Sequence, residues 1–171
     1  MTDALPEGVA VDLTIEAGRW PSEDELREVV LRAIHACFAK ADLKVLDNSE
    51  ISLLFTDDEA IRKLNGEWRD KDKPTNVLSF PGSDPNDETY GPLLGDIVFA
   101  CETISREAQE LGVDFSDHLS HLTVHGLLHL FDYDHQEREE AELMESLEKA
   151  VLASIDIDDP YADSALVADG G

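Results

Sequence analysis

The sequence predicts a single α+β domain in which a small mixed β-sheet is packed by helices. Three observations support this prediction. The chain has 171 residues, the length of one domain, which is enough to bury a core without disulfides. Short apolar runs and amphipathic stretches alternate in the first part of the chain, and helical spacing fills the rest. No GxGxxG or P-loop sequence follows a predicted strand, so a doubly wound nucleotide-binding fold is not indicated.

Four segments have the composition and spacing of β-strands. Apolar and polar residues alternate in the first, and the others are short apolar runs bounded by turn residues. These strands are predicted over residues 9–16, 50–56, 76–80 and 95–100. Residues 82–92 are rich in Gly, Pro and acidic residues, which predicts an exposed loop.

Five amphipathic segments predict helices that pack on this sheet. The first covers residues 23–41 and begins with Ser22 and Glu25, which have the spacing of a capping box. Asp57 caps the second, which is predicted to end near residues 65–66 because Asn-Gly there is typical of a helix end. The remaining helices are predicted over residues 103–111, 116–130 and 137–154.

The two ends of the chain differ from the segment between them. Residues 1–8 lack periodicity and are predicted to be a flexible N-terminus, residues 9–155 form the domain, and residues 156–171 form an acidic C-terminal tail. The two cysteines form no CxxC pair, which argues against a disulfide framework and favours a reducing compartment. The sequence shows neither a leader peptide nor an apolar run near the roughly 20 residues that span a membrane. A soluble, cytoplasmic protein without a membrane partner is therefore expected.

The formal charge of −26, from 39 acidic and 13 basic residues, predicts a negative potential over most of the surface. Such a charge ordinarily argues against binding to nucleic acid. The basic residues are clustered, however, because five of the 13 lie within residues 62–73. This basic segment consists of Arg62, Lys63, Arg69, Lys71 and Lys73. A solubilising or salt-adapted surface accounts for the acidity elsewhere.

Residues 117–135 contain five of the six histidines and are the main candidate for chemistry. His125 and His129 are four residues apart within a predicted helix, so their rings lie on one face, one turn apart. His135 follows six residues later, after Asp132, a residue type that tolerates the left-handed conformation of a turn. Three imidazoles can therefore converge on one metal ion.

His121 is excluded from that trio by distance. Eight residues of helix separate His121 from His129 by roughly 12 Å, too far for both rings to bind one ion at about 2.1 Å. Ligating histidines usually donate their second N–H to an oxygen, and Asp96 and Asp134 are candidates for that acceptor. Gly126 costs about 1 kcal/mol in a helix, which predicts a close backbone approach by another element or by substrate.

Three stretches together carry a resemblance to a known family. They are HGLLHLFDYDH (125–135), NGEWRDKDKPTNVLSFPG (65–82) and LLGDIVFA (93–100). With them the chain resembles the YbeY family of bacterial metal-dependent endoribonucleases, also called ribosomal RNA maturation factors. The resemblance extends from about Leu53 to Glu148. One departure is Asp132, where the family commonly has Gly, and it bears on the shape of the turn before His135.

The resemblance implies a small α+β domain with one zinc ion held by His125, His129 and His135. It implies a single-strand-specific endoribonuclease in maturation of the 16S rRNA 3' end and in ribosome quality control. It also marks Arg69 as the catalytic or RNA-contacting arginine. The implied partner is rRNA or the ribosomal subunit, with ribosomal proteins or GTPases as further candidates and no DNA.

The chemistry of these residue types agrees with that activity. Three nitrogen ligands and an open fourth position are typical of a catalytic zinc, which activates water or polarises a phosphoryl oxygen. A planar guanidinium such as that of Arg69 can clamp a phosphate. Four residues that closely follow Arg69 are predicted to position the RNA backbone: Lys71, Lys73, Thr75 and Asn76.

Two alternatives stay open. The spacing of the three histidines equals that of the HExxHxxGxxH metalloproteases, but Gly126 replaces the glutamate that acts as their general base. Peptide hydrolysis by that mechanism is therefore disfavoured. The first alternative that stays open is a metal-dependent hydrolase of another substrate. The second alternative is a metal-binding, ribosome-associated factor that acts by contact and not by cleavage.

Overall fold

The protein is described by a computed structural model over residues 9–40, 50–69, 75–81, 93–130, 138–155 and 157. These residues form four strands and five helices. In chain order the elements are β1 (Ala10–Ile15), α1 (Glu23–Lys40), β2 (Glu50–Thr56), α2 (Asp58–Arg69), β3 (Val77–Pro81), β4 (Leu93–Ala100), α3 (Cys101–Leu111), α4 (Phe115–Leu130) and α5 (Arg138–Ala153). The predicted α+β class is confirmed.

The strands form one mixed sheet in the order β1-β2-β4-β3. Strand β2 pairs in parallel with β1 and β4, whereas β3 runs antiparallel to β4. The register between β2 and β4 shifts at the start, since Glu50 pairs with Leu93 but Ile51 pairs with Gly95. Gly95 has φ 144°, a value that residues with a Cβ rarely adopt, so glycine accommodates this irregularity.

The two faces of the sheet are covered unequally. The main core lies on the face that carries Ile51, Leu53 and Phe55, where α1, α4 and α5 contribute their buried residues. A smaller cluster lies on the other face, where Ile61 of α2 packs with residues of β3 and β4. The side chains at alternate positions of β2 and β4 point to these two faces in turn. Helix α4 therefore lies against the sheet on its main-core side.

Helix α2 is longer than the sequence predicts. Its predicted end near residues 65–66 is wrong, because the helix continues to Arg69. Asn65 is buried and Leu64 packs on the smaller cluster, so tertiary packing holds the chain helical through Gly66. A glycine costs only about 1 kcal/mol in a helix, which such packing can offset. Arg69 is consequently the last residue of α2 and not part of a loop.

The predicted helix starts are confirmed in α1 and α2. The Oγ of Ser22 accepts a hydrogen bond from the Glu25 amide at 3.2 Å. The Oδ1 of Asp57 accepts one from the Ala60 amide at 2.9 Å. Both side chains satisfy amides that have no partner within their own helix.

Several predictions fall on parts of the chain that the structure does not describe. They are the N-terminus at residues 1–8, the loop at residues 82–92 and, apart from Ile157, the C-terminal tail at residues 156–171. Among the described helices, none combines the length and apolar character needed to cross a bilayer.

Candidate metal and RNA site

Helix α4 carries four of the five histidines of residues 117–135. It runs without interruption from Phe115 to Leu130, so His125 and His129 lie in one helix, a turn apart along its backbone. Its apolar residues anchor it in the core, with Leu122, Leu127 and Leu128 fully buried. The helix thereby holds its histidines at fixed positions relative to the sheet.

The approach of α4 to the sheet depends on Gly126, as the sequence predicts. A Cβ added at Gly126 would lie 3.0 Å from Cγ2 of Ile97 and 3.1 Å from Oγ of Ser79. Ser79 also donates a hydrogen bond to the Gly126 carbonyl at 3.0 Å. The close contact is thus made by strands β3 and β4, directly beside His125.

His125 is held by a carboxylate from the last helix. Its Nδ1 lies 2.7 Å from Oε1 of Glu148, and both residues are fully buried. Burial raises the pKa of Glu148, but the imidazoles of His121 and His125 outweigh burial and hold that pKa well below the ordinary glutamate value. At 2.7 Å the carboxylate oxygen of Glu148 accepts and Nδ1 of His125 donates. In this tautomer Nε2 carries the lone pair that a metal ion requires.

This arrangement fits a metal centre. Ligating histidines characteristically donate their second ring N–H to a carboxylate, which is the contact that His125 makes with Glu148. Asp96 and Asp134 were the residues predicted for this role. Asp96 is instead exposed, and strand alternation places it on the face of the sheet opposite Ile97 and α4. Asp134 lies outside the described residues.

Glu148 was not among the predicted acceptors, because only the packing of α5 on α4 brings it to His125. The sequence of α5 nevertheless contains a pattern that indicates a buried position for Glu148. Glu148 stands three and four residues before Val151 and Leu152, both fully buried, so it lies on the apolar side of its helix. An acidic residue at such a position requires a buried partner.

Two further histidines of α4 lie in the same buried row. Nε2 of His121 is 3.7 Å from Oε2 of Glu148, which is an ion-pair distance and too long for a hydrogen bond. Burial lowers the pKa of His121 below the ordinary histidine value, and Glu148 opposes the shift only in part. The ring centroids of His118 and His121 are 6.1 Å apart, and those of His121 and His125 are 6.4 Å apart.

A second carboxylate, which is half-buried, connects this row to the residues before strand β3. Oε1 of Glu107 in α3 is 2.9 Å from Nε2 of His118 and accepts a hydrogen bond from Nδ2 of Asn76 at 3.0 Å. Asn76 and Thr75 are buried at the start of β3. Among the described residues, Asn76 Oδ1 and Thr75 Oγ1 have no hydrogen-bond partner. Asn76, which follows the basic segment in sequence, is thus linked to the histidine helix through Glu107.

The structure describes the remaining candidate residues only in part. Arg69 ends α2, but its side chain and that of His129 are not described, and Lys71, Lys73 and His135 lie outside the described residues. Within the described part of the chain, no three His, Cys, Asp or Glu side chains are grouped to hold a metal ion. The roles of all these residues therefore stay predictions.

The chain matches one protein family over most of its length. Residues 14–156 match the family model described as Endoribonuclease YbeY. Three similar proteins carry that same name. The one from Sinorhizobium fredii is 50% identical over 159 residues, covering 90% of this chain and 92% of its own. The Agrobacterium fabrum protein is 51% identical, with 89% and 94% covered, and the Rhodopseudomonas palustris protein is 48% identical, with 90% and 91% covered.

A solved structure supports the fold. The solution structure of TM1509 from Thermotoga maritima superimposes with a TM-score of 0.52 and 23% sequence identity. The match covers 91% of this chain and 97% of that one. At this level of identity the comparison concerns the fold alone.

Proposed function

The chain belongs to the YbeY endoribonuclease family, and from that premise we propose that it is a metal-dependent endoribonuclease of ribosomal RNA processing. The observation that carries the metal part of this proposal is the contact between His125 and Glu148 in the core. It gives the first histidine of the motif the orientation of a metal ligand. The family match supplies the RNA substrate.

We assign the metal to His125, His129 and His135 and take it to be a single zinc ion. Imidazole nitrogens are ligands that suit zinc, and three of them leave a position open for chemistry. When bound, the ion would supply Lewis acidity that activates water and stabilises charge on a phosphoryl oxygen. Glu148 keeps Nε2 of His125 basic, and α4 keeps His129 one turn away along the helix.

The basic segment is proposed to hold the RNA backbone. Arg69, at the end of α2, clamps the phosphate next to the cleaved bond through its planar guanidinium. Lys71 and Lys73 add charge that attracts further phosphates. Thr75 and Asn76 are proposed to contact RNA through the two oxygens that lack partners in the described structure. Because both residues are buried, that contact requires a local opening at the start of β3.

The substrate is proposed to be single-stranded rRNA, with maturation of the 16S rRNA 3' end and ribosome quality control as the cellular roles. These roles place the protein in the cytoplasm, in contact with the ribosomal subunit. Ribosomal proteins or GTPases are candidate partners there. The family match and the basic segment on an otherwise acidic chain support this proposal.

Cleavage of rRNA fragments by the purified chain, with and without a chelator, tests the proposal. We expect cleavage that the chelator abolishes and that zinc restores. His129→Ala should remove activity, whereas His35→Ala should retain it, because His35 is half-buried in α1 and outside the motif. Cleavage that persists in chelator, or in His129→Ala, would refute the assignment.

The acidity of the chain supports one alternative, a metal-binding ribosome-associated factor without catalytic activity. A net charge of −26 disfavours broad contact with RNA and is compatible with docking on basic ribosomal proteins. In that case Arg69→Glu should weaken association with the ribosomal subunit, and no turnover should be measurable in either protein. Turnover by the wild type that Arg69→Glu abolishes would reject the alternative.

A further inference from the structure

Glu148 is a carboxylate in the interior of the protein. It is 0% exposed and shares the inner side of α5 with Val151 and Leu152. A carboxylate in such surroundings destabilises the fold unless it is paired and hydrogen-bonded. An apolar side chain would fill the same space without that cost. The position of Glu148 therefore points to a role beyond packing.

Both oxygens of Glu148 face histidines of α4. Oε1 accepts the hydrogen bond from Nδ1 of His125 at 2.7 Å, and Oε2 lies 3.7 Å from Nε2 of His121. The short contact fixes the direction of the His125 ring as well as its tautomer. His125 is one of the three proposed metal ligands, whereas His121 is too far from His129 to share an ion.

We propose that Glu148 is a positioning residue of the metal centre, which holds the His125 imidazole with Nε2 directed to the ion. The inference rests on the proposed function, because it takes His125 to be a ligand. It adds α5, the last helix, to the elements that build the site. A carboxylate hydrogen-bonded to a ligating imidazole typically changes metal affinity by 10–100-fold.

Zinc affinity of the metal-free full-length chain, measured by competition with a chromophoric chelator, tests this role. Glu148→Gln keeps an acceptor for Nδ1 but loses the charge, so we expect about 10-fold weaker binding. Glu148→Leu keeps the volume and cannot accept, so we expect about 100-fold weaker binding. Glu145→Gln is the matched control, because it removes a carboxylate on the same helix that is only half-buried. It should bind zinc like the wild type.

The outcomes separate this inference from the proposed function. If the wild type binds no zinc, or if His125→Ala binds it as tightly as the wild type, the proposed function fails and the inference falls with it. If binding depends on His125 but both Glu148 variants match the wild type, the positioning role alone is overturned. A purely structural role would lower the free energy of unfolding of these variants without weakening zinc binding to the folded fraction.

A measurement on the unmodified protein covers the case in which the Glu148 variants do not fold. Nitrogen-15 NMR of the imidazole rings reports which nitrogen carries the proton. In metal-free wild type, His125 should be protonated at Nδ1, and zinc should shift the resonance of Nε2. Protonation of a neutral His125 ring at Nε2 would overturn the inference.

Discussion

Among single residues, Gly126 matters to the site because it has no side chain. Gly126 leaves room for α4 to lie against Ile97 and Ser79, and His125 is its immediate neighbour in the helix. A side chain at residue 126 would push the helix away from the sheet. It would also occupy the position of the glutamate that metalloproteases of the HExxH type require. The close contact with the sheet is therefore sufficient to explain why residue 126 is glycine.

Gly126→Ala should destabilise the protein by up to about 2 kcal/mol. The added Cβ meets two buried residues at 3.0 and 3.1 Å, and overpacking of this kind costs about 1–3 kcal/mol, which a gain of about 1 kcal/mol in helix propensity offsets only in part. Urea denaturation of the metal-free chain measures the difference. In a Ser79→Ala background the loss should be smaller, because one of the two close atoms is gone. A more stable Gly126→Ala variant would contradict the close packing.

Gly126 and the spacing of His125 and His129 were predictable because each is a local pattern. Glu148 was not, because it lies 23 residues from His125 along the chain and meets it only when α5 packs on α4. Asp96 was predicted as an oxygen that could accept the second N–H of a ligating imidazole. The alternation of β4, however, turns that carboxylate away from the helix that bears the histidines.

At the scale of elements, the N-termini of α2 and α3 stabilise each other. Oδ1 of Asp58 accepts hydrogen bonds from the amide of Thr103 at 3.1 Å and from its hydroxyl at 2.8 Å. In return, Oε1 of Glu102 accepts one from the Asp58 amide at 2.9 Å. The carboxylates also face the positive ends of both helix dipoles. This exchange fixes α2, which ends at Arg69, relative to α3, which supplies Glu107 to the histidine row.

Asp58→Ala should lower the free energy of unfolding by about 1–2 kcal/mol, the usual range for a lost helix cap. Asp58→Asn keeps the Oδ1 acceptor and should lose less. Glu59→Ala, on the exposed side of the same first turn, should stay within about 0.5 kcal/mol of the wild type. Chemical denaturation compares the three variants. Equal effects of Asp58→Ala and Glu59→Ala would show that the hydrogen bonds between α2 and α3 contribute little to the free energy of unfolding.

Element identity was predictable from sequence, and some boundaries were not. All nine described elements were predicted with the correct type. The spacing of apolar residues that distinguishes a helix from a strand is visible within each segment alone. The end of α2 was predicted too early because Asn65-Gly66 is a helix-end signal only when the chain there is free to turn. Burial of Asn65 against the fold overrides that signal, and no local pattern reports it.

At the scale of the whole molecule, charge governs how RNA can be bound. The chain has 13 basic residues against 39 acidic ones, and five of the 13 lie within residues 62–73. The negative charge on the rest of the surface repels RNA, which is a polyanion. We therefore infer that RNA reaches the protein through few phosphate contacts, all near the end of α2.

The salt dependence of RNA affinity should accordingly be shallow. Three to five contacts to single-stranded RNA predict a slope of log K against log salt of about −2 to −3.5. Fluorescence anisotropy with a labelled rRNA fragment, in chelator to prevent cleavage, measures the slope. Replacing both Lys71 and Lys73 by Ala should reduce its magnitude by about 1.4. A slope steeper than about −6 would contradict binding through the basic segment alone.

We propose that His125, His129 and His135 hold one zinc ion, and the metal content of the purified chain is the measurement that decides this. Protein prepared without added metal is analysed by mass spectrometry beside His125→Ala, His129→Ala, His135→Ala and the control His35→Ala. We predict about one zinc per chain in the wild type and in the control, and much less in the three motif variants. A wild type without metal, or motif variants that retain a full equivalent, would rule out a zinc site formed by these three histidines.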